Sequence, residues 1–225
     1  MTYSRFDKLN ASLRTSDLDA VILNPGPTLT YLTGLHFHLM ERPVVLLFAK
    51  DQNPAIVLPE LELQKVASLP YKLQVFPYPE NPSEWDNAFR RAAQALGLDG
   101  KRIGVEPRQL RLLEFRHVKT GAPEADYPDA SEVLSGLRLR KDQAEVEAMR
   151  RAVKIAQDAL EATIPLIKIG MTEKELASEL VVQLLRQGSE PEMPFAPIIS
   201  GGPNAANPHA SPSERKLQTD RKSVV

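Results

Sequence analysis

Thirteen residues near the end of the chain, Ser200 to Pro212, hold three prolines, two glycines and two asparagines, a composition that no regular helix or central strand survives. Proline has no backbone N–H to give, and glycine and asparagine favour turns. The segment must therefore be a shaped loop. Pro208 drives Asn207 toward an extended backbone and Pro212 does the same to Ser211, so His209 sits on a chain with few conformations open to it. A loop stiffened in this way aims one side chain. Upstream, Phe195-Ala196-Pro197-Ile198-Ile199 is short, apolar and bounded by breakers, which predicts a strand leading into the loop. Gly201-Gly202 reads as a turn and not as a phosphate cradle, because neither a Lys-Ser/Thr pair nor a helix start follows it.

The first 135 or so residues follow another pattern. Phe6, Leu9 and Leu13 recur at helical spacing, then Leu18 to Leu23 gives a buried strand ended by Asn24-Pro25-Gly26-Pro27. A short segment at Leu29 to Leu32 precedes two apolar β runs, Val44 to Ala49 and Ala55 to Leu58, which the turn Lys50 to Pro54 joins as a hairpin. Leu73-Val75-Phe76 predicts a strand, residues 83 to 97 a helix burying Trp85, Phe89, Ala92, Ala93 and Leu96, and Arg102 to Val105 another strand. A short helix is expected over Arg108 to Phe115 and an edge strand over Ala125 to Tyr127. Strands alternating with helices argue for an α/β domain with a mixed sheet flanked by helices. After Leu134-Ser135-Gly136 the period changes. From Asp142 to about Leu166, Val146, Met149, Val153, Ala156, Leu160 and Ile164 step by three and four as the inward face of a long amphipathic helix, with Glu145, Glu147, Arg150, Arg151 and Lys154 on a solvated face. Thr172-Glu173-Lys174-Glu175 is a capping box that starts a second helix, with Leu176, Leu180 and Leu184 inward and Gly188 as its stop.

Composition narrows the function classes. The 225 residues are 42% hydrophobic and 25% charged with a net charge of −1, which gives no electrostatic case for binding nucleic acid or a charged membrane surface. Cysteine is absent, excluding disulfides, thiolate catalysis and cysteine metal sites and fitting a reducing compartment. No run reaches the roughly 18–20 apolar residues of a membrane span, and the opening Met-Thr-Tyr-Ser-Arg-Phe-Asp-Lys is unlike a secretory signal, so a cytoplasmic location is expected.

Three groups of residues, in order, carry a resemblance. Asn24-Pro25 with Tyr31-Leu32-Thr33-Gly34, then Arg140 to Ala152, then Ser200-Gly201-Gly202-Pro203-Asn204-Ala205-Ala206-Asn207-Pro208-His209, together resemble the Xaa-Pro peptidases, the aminopeptidase P, prolidase and creatinase relatives. The resemblance covers about residues 5 to 219. It implies a creatinase-like N-terminal domain over residues 1–136 and the first part of a pita-bread metallopeptidase domain over residues 137–219. Residues 220–225, Asp-Arg-Lys-Ser-Val-Val, depart from the family and read as a foreign tail of translated adapter sequence.

Members of that family hydrolyse the bond before proline with two divalent metal ions, Mn, Co or Zn, held by two Asp, one His and two Glu, the first Asp lying in a Gly-Asp segment after the histidine loop. Here the loop is followed by Arg215 to Val225, and none of those ligand positions is present. Carboxylates must converge on ions roughly 3.5–4 Å apart to neutralise them and activate a bridging water. The chain is accordingly expected to be an N-terminal fragment of such an enzyme, inactive as written, with no metal or cofactor of its own. His209 matches a family histidine that contacts the substrate or the tetrahedral intermediate, and it is the one functional residue the resemblance carries over. Half of a pita-bread domain would leave the inner faces of its helices uncovered.

His36-Phe37-His38 with Glu41 offers two imidazoles and a carboxylate, but without a third histidine nearby and in a loop between turn signals it is not assigned a metal. The resemblance gives Leu35 to Glu41 another role, edging the partner's active-site mouth in a homodimer. His117 is expected to be a surface residue. Two other functions share these features: a non-catalytic protein that binds peptides or a partner through its N-terminal domain and exposed helices, and a fragment of a creatinase-type amidinohydrolase. Dipeptidase and aminopeptidase are not separated.

Overall fold

Continuous apolar runs such as Ala20-Val21-Ile22-Leu23 have no polar side to show to water, so they must be covered on both faces. In the computed structural model, which describes residues 3–219 and 223–224, that covering is what the first of two units, Met1–Arg140, provides. Helix α1 (Tyr3–Thr15) leads to strand β1 (Ala20–Leu23), and helix α2 (Pro27–Thr33) follows. Strands β2 (Val45–Ala49) and β3 (Ala55–Pro59), the short helix α3 (Leu63–Val66), strand β4 (Gln74–Tyr78), helix α4 (Trp85–Leu96), strand β5 (Ile103–Val105), and helices α5 (Leu112–Gly121) and α6 (Ser131–Leu139) complete the unit. The sheet has the order β4-β3-β2-β1-β5. It is mixed as expected: β2 runs antiparallel to β1 and β3, whereas β4 is parallel to β3 and β5 is parallel to β1.

Alternation along each strand sends its side chains to two cores. Ala20, Ile22, Val45 and Leu47 pack with Trp85, Phe89, Ala92 and Leu96 on one face; Val21, Leu23, Leu46 and Phe48 pack with Leu9, Leu13, Leu134 and Leu137 on the other. All the residues predicted to be buried by the helix over residues 83–97 are buried by α4, which buries Ala88 as well. Helices α4 and α5 approach so closely that a Cβ on Gly121 would lie 2.9 Å from the carbonyl oxygen of Phe89.

The segment Leu29 to Leu32, whose type the sequence left open, is helical, as Pro27 in its first turn and Gly34 at φ 74 after its last allow. Two predicted elements of this unit come out differently. The helix expected over Arg108 to Phe115 begins later, at Leu112, because Gln109 and Leu110 donate to the Glu106 carbonyl in a turn and Arg111 is extended. The edge strand expected over Ala125 to Tyr127 is reduced to isolated bridges at Asp126 and Asp129, on either side of Pro128, which has no N–H for a ladder. Gly136 lies inside α6.

The second unit, Lys141–Val225, contains helix α7 (Gln143–Thr163), helix α8 (Glu173–Arg186) and the two-residue strands β6 (Ser200–Gly201) and β7 (Ser223–Val224), which pair antiparallel. Each helix starts with a capping box, Asp142 with Glu145 and Thr172 with Glu175, the side chain and backbone of each pair satisfying one another's free donors. Gly188 stops α8 at φ 96. The core of the unit comprises Leu176, Ile199 and Leu217, with Met171, Ala177 and Leu180 against it.

One expectation is met here and one fails. The apolar stripe of α7 is open to solvent, with Met149 54%, Val153 56% and Ile164 56% exposed, while the helix turns Ala159 and Thr163 inward. Periodicity specified the helix, but among the described residues nothing covers the stripe, as a lone half of a pita-bread domain would leave it. The strand expected over Phe195 to Ile199 is absent: Pro194 and Pro197 remove ladder donors, Phe195 is exposed, and pairing begins only at Ser200. Of the tail Asp220 to Val225, only Ser223 and Val224 lie within the described residues.

Candidate functional site

The histidine loop is built around a residue far from it in sequence. Glu173 is the first residue of α8 and is fully buried. Its carboxylate accepts hydrogen bonds from the Gly201 amide at 2.7 Å, the Asn204 side-chain amide at 3.1 Å, the Ser213 amide at 3.0 Å and the Ser213 hydroxyl at 2.6 Å. Burial by itself would raise the pKa of this carboxyl, but the Ser213 hydroxyl, the Gly201 and Ser213 amides and the Asn204 side chain together outweigh it and hold the value below the usual glutamate range. A buried carboxylate served only by neutral donors is thereby kept ionised.

Backbone pairing reinforces the same junction. Glu173 and Lys174 donate from their amides to the carbonyls of Arg215 and Ser213, and Gly170 and Leu217 donate to Leu217 and Met171. The segment after the loop is thus tied to the start of α8. At the other stem, Gly202 takes φ +56, a left-handed conformation that favours glycine, and begins the 3-10 turn Gly202–Ala206; the turn expected at Gly201-Gly202 is there. Asn207 then accepts the His209 amide at 3.0 Å, and Ala210 donates to the Asn207 carbonyl at 3.1 Å. This small Asn-centred turn, with Pro208 inside it, leaves the His209 side chain exposed.

Beside the loop lies a groove of about 1000 Å³. Ala152 and Ile155 of α7, Leu180 and Leu184 of α8, and Phe195 and Pro208 line it. Ser200 also lines it, and its buried hydroxyl has no hydrogen-bond partner among the described residues.

The other candidates stand in the first unit. His36, His38 and Glu41 are exposed in the loop between α2 and β2, not on a strand. That loop is held by its backbone: Arg111 donates to the Met40 carbonyl at 2.7 Å, Lys65 approaches the His36 carbonyl at 3.4 Å and also stands over the Phe37 ring, and Glu41 pairs with Arg42, which also binds Glu80. Among the described residues no group of three or more His, Asp or Glu side chains is placed to hold a metal ion. These residues do not fit a two-metal centre, and no step is derived through one. His117 is not a surface residue: its ring is 17% exposed, lies 2.7 Å from Asp86 and stacks on Phe89, joining α5 to α4. Aromatic neighbours on another helix, invisible to local sequence, bury it.

Sequence reasoning singled out His209 and did not single out Glu173, Asn204 or Ser213 as a cluster. One signal was present. The capping box needs only Glu175, so a second acid at the first helical position, Glu173, was left without a task.

Comparison with known proteins agrees with this architecture. Residues 5–140 match the creatinase/prolidase N-terminal domain family, and residues 147–224 match metallopeptidase family M24. An Xaa-Pro dipeptidase of Lactobacillus helveticus is 29% identical over 217 residues, covering 94% of this chain and 58% of its own length. A dipeptidase structure from Pyrococcus horikoshii superposes with a TM-score of 0.84 at 29% identity, over 96% of this chain and 59% of that one. A prolidase structure from Thermococcus sibiricus gives 0.88 at 24% identity, over 98% and 59%, a likeness of fold. The chain spans less than two thirds of each relative. No helix among the described residues is long and apolar enough to cross a membrane. Matched in order by both families, and over most of its length by the first, the chain belongs to the creatinase/prolidase N-terminal domain family.

Proposed function

We propose that this chain supplies the N-terminal domain and the histidine loop of a metal-dependent peptidase acting on peptides with proline after the scissile bond. The observation that carries the reading is the loop itself, where a buried carboxylate holds both stems and an exposed imidazole stands at the turn between them. An imidazole placed this way can donate to a substrate carbonyl or to the oxyanion of a tetrahedral intermediate, and that contact is the role of His209. The name of the Lactobacillus relative supports a proline-containing peptide over the substrate of a creatinase. Two divalent ions, Mn, Co or Zn, belong to the complete centre of this reading. A homodimer in the cytoplasm, with Leu35 to Glu41 at the partner's active-site mouth, completes it.

The test joins Thr219 of this chain to the remaining segment of the Lactobacillus helveticus dipeptidase and assays Ala-Pro hydrolysis with each metal. The 225-residue chain alone is expected to be silent and the joined protein active, with His209→Ala lowering kcat by about 10²–10³-fold at nearly constant KM. A folded, active joined protein that is indifferent to His209→Ala would remove the histidine from the mechanism. One observation favours a second reading, a non-catalytic protein that binds a peptide or partner: the second unit leaves apolar side chains open to solvent along α7 and lining the groove. Saturable binding of a proline peptide by the chain, with the joined protein inactive, would support it.

A further inference from the structure

Two constraints act on His209, and they come from different places. Asn207, Pro208 and Pro212 stiffen the loop locally and so fix its shape. Local stiffness does not fix where that shape points. A loop from Gly201 to Ser213 swings as a body unless its stems are held, and closing it costs conformational entropy. The only carboxylate to which the described hydrogen bonds of Gly201, Asn204 and Ser213 converge is that of Glu173, which lies 28 residues before the first stem and 40 before the second.

We propose that Glu173 is the positioning residue for His209, a latch that closes both stems of the histidine loop onto the first turn of α8. The proposal rests on the reading of His209 given above but is tested without catalysis. Glu173 is suited to the task because an ionised carboxylate is acceptor-only and has about four lone-pair sites, matching the Gly201 amide, the Asn204 amide and the two donors of Ser213. A neutral amide of the same shape has one acceptor oxygen and turns an N–H₂ group toward the remaining donors. The cations nearby in sequence do not compete for it: Lys174 pairs with Glu214 at 2.7 Å, and the Arg215 guanidinium lies against Gly202. The latch also differs from the cap on the same helix. Glu175 serves Thr172, and among the described residues no hydrogen bond joins it to residues 200–213, so the two acids of one helical turn divide the work, one starting the helix and the other holding the loop.

Amide exchange and the imidazole proton spectrum of the 225-residue chain test this, using Glu173→Gln against Glu175→Gln. Glu173→Gln is expected to speed exchange across residues 200–213 by about tenfold or more, with α7 within about twofold of the parent, and to shift the His209 ring resonances. Glu175→Gln is expected to leave both unchanged. Unaltered loop exchange in Glu173→Gln, or equal loosening by the two variants, overturns the proposal, since the acid would then serve only the helix. Unmoved His209 resonances in a loosened loop also overturn it, leaving Glu173 structural, without touching the peptidase reading. Should Glu173→Gln unfold the whole unit, Ser213→Ala removes a single donor from the latch. A partial loosening confined to residues 200–213 then supports the proposal, and an undisturbed loop defeats it.

Discussion

The two units reach order by different means. In the first, a mixed sheet is covered on both faces, so residues one apart on β1, such as Val21 and Ile22, are each fully buried in separate cores. In the second, a small apolar cluster around Leu176, Ile199 and Leu217 sits beside a helix whose apolar stripe is bare. What orders the histidine loop there is a buried anion with its donors. Hydrophobic burial is non-directional and holds layers together; hydrogen bonds to a charge are directional and set the aim of one side chain. The chain uses the first where shape is needed and the second where a side chain must be placed.

Substitutions sharpen that contrast. Phe89→Ala should cost the most, about 4 kcal/mol for a fully buried aromatic side chain, because Phe89 packs against the sheet and carries the stacked His117 ring. Denaturant unfolding followed by amide exchange should show the loss in β1 to β3, and a loss shared equally by α8 would show that the units are not independent.

Acid should act in the opposite place. Glu173 binds its proton less tightly folded than unfolded, so its contribution is present above the ordinary glutamate range and disappears as pH falls through the lowered folded value. Residues 200–213 should therefore lose protection on acidification while β1 to β3 keep theirs, and simultaneous loss would count against the anion as the holding element. The smallest effect is expected at the bare stripe: Val153→Lys should change stability by less than about 0.5 kcal/mol, as for an ordinary surface site, and should reduce self-association in light scattering. A large destabilisation there would mean that the stripe is covered in solution.

Legibility in the sequence follows the same division. Leu18 to Leu23, Val44 to Ala49 and Ala55 to Leu58 announced their strands because a buried run is written in consecutive letters, and α4 announced both its span and its buried face. The start of α5 was obscured by the turn in which Gln109 and Leu110 donate to the Glu106 carbonyl, a local pattern close to a first helical turn. The stripe of α7 was read as apolar from its period and as uncovered only through the family resemblance, since periodicity reports a face and not its neighbour. At the site, the stiffness around His209 was plain from its prolines and asparagines. The latch was not, because Glu173 meets partners 28 to 40 residues away and no local pattern encodes a meeting at that distance.

Gly121 stands at the closest approach of α4 and α5, where a methyl group would meet the Phe89 carbonyl oxygen at 2.9 Å. Its value lies in absence: the missing side chain works as a machined clearance, setting the spacing of two helices as a shim sets a bearing. Change at this position can go only one way, because there is nothing smaller to substitute and a side chain of any size meets the facing helix. The ring-stacked His117 then registers the gap, so its chemical shifts offer a built-in gauge of helix separation, readable without touching the fold.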